Sequence, residues 1–295
     1  MLISALCLIL FAKSMHEPVD HDENQFIASG VLLARHGLLP YRDYPYFHLP
    51  YMVYLYAAVF RVCPCLLLGA RLVSTLCAVG VVSLLGAAAY RAAAVRNRHA
   101  GIIALGAGLL LISQPAFTQT TGFSWNHDLT ELLIFASAFL VLRGIAGGYS
   151  TGGLLLAGAS MGLAVGVRVT ALPLLGATTV FVIQDVWKSM PRPGFKLVAF
   201  PIAAAGSLAP LALSFAASPR AFLFGNFNYT ALATAWWLGN GSHGANATPR
   251  GKLLFPFRHV LLSPGAILLM LLAALAIGLW IRVRPRVERS YRREM

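Results

Sequence analysis

Val19-Asp20-His21-Asp22-Glu23-Asn24-Gln25-Phe26, continuing to Tyr41-Arg42-Asp43-Tyr44-Pro45-Tyr46-Phe47-His48-Leu49-Pro50, is a polar, acidic and aromatic stretch in an otherwise apolar chain. It holds Asp20, Asp22, Glu23 and Asp43, and the only other acids before Asp185 are Glu17, Asp128 and Glu131. Carboxylates are costly to keep near a membrane and mark functional positions by default. Placed outside a bundle of apolar helices, this stretch is a first outer loop, and every later segment takes its side of the membrane from it.

The flanking sequence supplies the membrane. Of 295 residues, 58% are hydrophobic and 11% charged, and the mean hydropathy is +0.71. That is the composition of an all-α, polytopic membrane protein with no separate soluble domain, a single transmembrane domain over 1–295. The net charge of +13 reads as topology and not as nucleic-acid binding, because basic and aromatic residues do not interleave on one soluble face. Cys7, Cys63, Cys65 and Cys77 fit neither a CxxC nor a zinc spacing and read as apolar fillers.

Residues 2–12 are apolar over about eleven positions, roughly 17 Å of helix against a hydrocarbon core near 30 Å. With no basic n-region and no small-x-small cleavage site, they read as the tail of a first transmembrane helix whose start is missing. Residues 24–35 have a short amphipathic pattern suited to a membrane surface, ended by Gly37 and Pro40. Residues 49–68 are apolar enough to cross but are interrupted by Arg61 and Pro64.

If 49–68 lies at the interface, further spans are expected at 72–90, 101–117, 129–142, 152–167, 170–187, 197–217 and 259–281, about eight in all. The basic groups then fall inside: Arg91, Arg96 and Arg98, then Arg143, then Lys188, Arg192 and Lys196, then the arginines of 282–293. Making 49–68 a span with the acidic loop outside would export all of them. An inverted arrangement with one more span satisfies the charge rule equally well. The outer segments in the first arrangement are 13–71, 118–130 and 218–258, the last with aromatic interfacial anchors.

Asp22-Glu23, the amphipathic run to His36, Gly37-Leu38-Leu39-Pro40-Tyr41-Arg42-Asp43, His48-Leu49-Pro50 and, beyond them, Gly69-Ala70-Arg71-Leu72 together resemble the first outer loop of the GT-C superfamily of membrane glycosyltransferases. The similarity is to the polyprenyl-phosphate-sugar users of the protein mannosyltransferase and aminoarabinose or galacturonosyl transferase type. It implies that 49–68 is a juxtamembrane helix, which separates the two topologies, and that family members usually run longer than this chain. It also implies transfer of a sugar from a polyprenyl-phosphate donor to a lipid, glycan or protein acceptor at the outer face of a bacterial inner membrane, without a cofactor.

On that resemblance Asp22 and Glu23 are the expected catalytic carboxylates, with Asp22 as the base, since neighbouring carboxylates raise one another's proton affinity. Asp43 and Asp128 are expected to bind acceptor or sugar, with His48 beside them. Arg35, Arg42, Arg71, Arg168 and Arg258 are the outer cations from which phosphate ligands would be drawn. Each has a plainer reading beside it. Asp128 could cap the helix beginning at Leu129, and Arg168 could snorkel to the interface. Asp20-His21-Asp22 could hold a divalent cation with His48 or His127. A transporter or flippase of a lipid-linked sugar, or a non-catalytic membrane scaffold, are the competing functions; the former would need polar groups at mid-membrane.

Overall fold

The computed structural model describes residues 2–94, 99–240, 248–255, 257, 261, 262, 264–268 and 270–275. Arg96, Arg98, Arg258, the 282–293 cluster and much of the expected 259–281 span lie outside the described residues. The described chain is helical throughout, without strands. Its elements are α1 (Leu2–His16), α2 (His21–His36), α3 (Tyr51–Val62), α4 (Leu66–Ala94), α5 (Ala100–Ile112), α6 (Pro115–Thr120), α7 (His127–Gly147), α8 (Thr151–Val167), α9 (Leu172–Ser189), α10 (Lys196–Ser207), α11 (Ala209–Ala217), α12 (Pro219–Leu223) and α13 (Tyr229–Gly239).

Four helical stretches are long and apolar enough to cross a membrane: Leu66–Ala94, His127–Gly147, Val169–Ser189 and Lys196–Ala217. On that ground the chain is a membrane protein. Of the eight expected spans, the other four correspond to shorter apolar helices, at Ser4–His16, Ala100–Ile112, Thr151–Val167 and Pro264–Leu275. Prolines account for several of the breaks. The expected 101–117 span stops at Ile112 and restarts at Pro115, and 197–217 is interrupted at Leu208 ahead of Pro210, whose missing N–H and ring disrupt the helical ladder.

The segment 49–68 is not one helix. It divides at Cys63-Pro64-Cys65, where the Cys63 N–H still bonds the Val59 carbonyl but Pro64 can donate nothing. The first piece, α3, has 12 residues, about 18 Å of helix and too short to cross. The last residues belong to α4. Met52, Val53, Tyr56 and Phe60 of α3 are buried with Phe26 of α2, and Gly30 of α2 leaves room for the Tyr56 Cβ and the Phe60 ring.

The chain divides into two compact units, one of Met1–Gly108 with Thr120–Ala233, the other of Leu109–Gln119 with the chain from Thr234 on. In the first, Val141, Leu154, Met161, Val182, Val186 and Phe200 form a core shared by α7, α8, α9 and α10. Gly158 and Gly162 of α8 face the Phe200 and Ala204 backbone of α10 with no room for a methyl group, and Gly166 meets the Tyr51 ring of α3. Small residues at this spacing let helix backbones approach closely in a lipid environment. Tyr51 donates from its hydroxyl to the Ser207 carbonyl at 2.6 Å, and the Tyr54 and Ser214 hydroxyls pair at 2.8 Å, tying α3 to α10 and α11. In the second unit Gly265 lies against the Ser113 carbonyl and the Gln114 side chain.

Candidate functional site

The loop after α1 and the start of α2 are set by a capping box. The Asp20 carboxylate accepts the Asp22 N–H at 2.8 Å, and the Glu23 carboxylate accepts the Asp20 N–H at 3.0 Å. At the other end Gly37, at φ +66°, turns the chain in the left-handed region, with the Gly37 and Leu38 N–H groups bonding the Leu33 and Leu32 carbonyls. The Asp43 side chain then closes the next turn by accepting the Leu39 N–H at 2.7 Å. Tyr41, at φ +68°, packs inward on Phe222 and is held by the Asn226 amide at 3.2 Å and by the His48 carbonyl.

Glu23 does more than cap. It is 0% exposed and Arg71 is 1% exposed. Arg71 Nε and Nη2 donate to the two Glu23 oxygens at 2.9 and 2.6 Å. The Ser124 N–H donates to Glu23 Oε1 at 2.8 Å. The other guanidinium hydrogens go to the carbonyls of Ser14, Glu17 and Pro18. Burial pushes the Glu23 carboxyl up, but its bonds with Arg71, Ser124 and Asp20 outweigh burial and hold it below the usual carboxylate range. The pair therefore joins the end of α1, the start of α2, α4 and the loop before α7 at one point.

This corrects two expectations. Glu23 has no free acceptor for a proton from substrate, and Arg71 has no free donor for a phosphate. Both are structural in this fold. Arg42 and Asp43 are likewise turned on each other, with Nη2 to Oδ2 at 2.8 Å on the surface, and Arg42 holds the Asp43 carboxyl below its ordinary range. Asp128 is also reassigned. Asn126, not Asp128, precedes α7, and Asp128 is 1% exposed with its Oδ2 accepting the Gly122 N–H at 2.8 Å. It closes the 122–128 loop from within; its Oδ1 has no partner among the described residues.

What the knot brings together is a different set. Asp22 stands at the first turn of α2 with its side chain 61% exposed. The Gln25 amide donates to Asp22 Oδ1 at 3.4 Å and to His48 Nε2 at 3.3 Å, long bonds that leave the His48 proton on Nδ1. His48 stacks on Phe26 with ring centroids 5.0 Å apart. Burial lowers its basicity; the Asp22 carboxylate works against that and the Arg168 charge adds to it. Across from it the loop Phe123-Ser124-Trp125 leads to His127, whose ring sits 5.4 Å from Trp125 and whose Nδ1 has no partner among the described residues. Asn126 reaches the Val167 carbonyl at 3.4 Å, drawing this loop to the turn that carries Arg168.

Arg168 caps α8 in extended backbone and is only partly exposed. Its charge is felt at His48, His127 and Glu131. Burial lowers its proton affinity, offset in part by the Glu131 carboxylate. Among the described residues its guanidinium makes no hydrogen bond and no ion pair within 4.0 Å. Of the expected site residues, then, the fold gathers Asp22, His48 and Arg168, and adds Gln25, His127 and Glu131. Asp20 of the Asp20-His21-Asp22 run serves as the cap of α2. No protein-family model, curated protein or solved structure matches the chain.

Proposed function

We propose that this chain is an integral membrane glycosyltransferase that moves a sugar from a polyprenyl phosphate to an acceptor hydroxyl or amine at the outer face of a bacterial inner membrane. The observation that carries the reading is Arg168, a half-buried cation that makes no hydrogen bond and no ion pair within 4.0 Å among the described residues, and whose charge is felt at His127 and at His48, which also feels the Asp22 carboxylate. A desolvated, unpaired guanidinium is a strong site for a phosphate, and it gains most as charge builds on the departing group.

In the proposed reaction Asp22 accepts the proton of the acceptor as the acceptor atom bonds to the sugar's anomeric carbon. The bond from that carbon to the phosphate oxygen breaks on the opposite face, inverting the centre, and the electron pair leaves on the phosphate next to Arg168. Gln25, itself bonded to His48, holds Asp22 in place. His127 Nδ1 and the Glu131 carboxyl are polar groups available to the sugar. With the eight crossings expected from charge asymmetry, this cluster would lie outside. Cysteine in place of His21 should then be labelled from outside, and cysteine in place of Arg192 should be protected.

The transfer test uses membranes holding the full chain, a panel of polyprenyl-phosphate sugars and release of free polyprenyl phosphate as the readout. Asp22→Asn keeps the shape and should lower release at least about a hundredfold, the scale of losing acid-base help. Release by Asp22→Asn at the wild-type rate would remove Asp22 as the base.

A further inference from the structure

Away from the site already described, two cavities adjoin along α7. The first, of ≈ 930 Å³, lies among the last turns of α4 and α7 and the first turns of α8, and both Arg91 and Arg143 line it. The Arg91 guanidinium is fixed over the Phe139 ring at 5.5 Å. The second, of ≈ 410 Å³, shares Val141, Leu142 and Ile145 with the first and continues between α7 and α9 past Ile134 and Phe181, with apolar walls and a single hydroxyl, that of Thr178.

The two together have the shape and polarity of one ligand with an anionic head and a hydrocarbon tail. The rise along α7 from Arg143 to Ile134 is about 14 Å, close to half of a hydrocarbon core of about 30 Å. Arginines at the end of membrane helices are the usual phosphate-binding groups for lipid heads, and the apolar wall begins directly beneath them. No carboxylate lines either cavity.

We infer that the adjoining cavities hold one anionic diacyl phospholipid of the leaflet at that end, its phosphate between Arg91 and Arg143 and an acyl chain in the groove between α7 and α9. The inference rests on the membrane reading alone and stands whether or not the chain transfers sugars. The bound lipid would seal α7 to α4 and α9 at the face opposite the Asp22 cluster.

The test is native mass spectrometry of the purified chain with palmitoyl-oleoyl phosphatidylglycerol, with the matching phosphatidylethanolamine and with inorganic phosphate. The wild type should keep one phosphatidylglycerol through delipidation and bind the other two more weakly. Arg91→Gln with Arg143→Gln should weaken phosphatidylglycerol about twenty-five-fold, from about fivefold per basic group. Ala138→Trp, which fills the second cavity, should weaken it while leaving phosphate binding alone. Arg192→Gln with Lys196→Gln is the control for general charge and should change little. Unchanged phosphatidylglycerol binding by the arginine pair, an equal loss in the control pair, or phosphate binding as tight as the lipid would each overturn the inference.

Discussion

Arg71 and Glu23, 48 positions apart in the chain, saturate one another and their surroundings: every N–H of the guanidinium and every acceptor position of the carboxylate is engaged inside the protein. A buried ion pair is tolerable only when geometry and added hydrogen bonds offset desolvation, and this one meets that condition. Its effect is positional. It fixes the first and second loops against α4, and so determines where Asp22 and His127 stand relative to each other.

Removing either partner should therefore act on folding. Arg71→Met or Glu23→Leu leaves an uncompensated buried charge and should cost about 3–5 kcal/mol each. The double substitution should cost less than the sum, since neither charge is then orphaned. Thermal unfolding of the purified chain in lipid nanodiscs measures this; strictly additive losses would show that the pair is not coupled.

Acid should unfold the protein in two stages. Folding depresses the basicity of His48, so as pH falls below 6.5 the unfolded chain takes up a proton that the folded chain refuses, and stability drops. The Glu23 carboxyl is lowered on folding, so its contribution is complete above 4.5 and is lost as pH falls through its folded value. His48→Gln should shrink the first stage and leave the second, as read from unfolding temperature against pH.

Helix packing around α8 gives a third expectation. Gly162→Ala puts a methyl into the Ala204 backbone and should destabilise by about 1–3 kcal/mol or more. Gly106→Ala meets nothing within 4 Å and should be neutral or stabilising by up to about 1 kcal/mol, the helix-propensity difference. Equal unfolding temperatures for the two variants would contradict the packing described for α8 and α10.

The apolar runs placed most helices within a few residues, because lipid-facing length is written in composition. Gly37 and Pro40 likewise ended α2 where expected. The Pro210 break could have been read from its own residue, and so could the Gly158, Gly162 and Gly166 repeat. Asp20 followed three positions later by Glu23 is a capping-box signature, which could have assigned Glu23 a structural part. Nothing local pairs Glu23 with Arg71, since that contact depends on how α4 crosses the loop. Arg168 was legible as a lone cation, but its place within the field of Glu131 and outside any ion pair is a property of the packed turn.

Direct binding of polyprenyl phosphate tests the central claim most plainly. Titration of the full chain in nanodiscs with undecaprenyl phosphate should show saturable binding by the wild type. Arg168→Gln should weaken that binding at least about tenfold, the scale of losing a charged hydrogen bond. The exposed Arg42→Gln should bind as the wild type does. Undiminished affinity in Arg168→Gln, or no saturable binding by the wild type, would contradict a phosphate site at the Asp22, His48, His127 and Arg168 cluster.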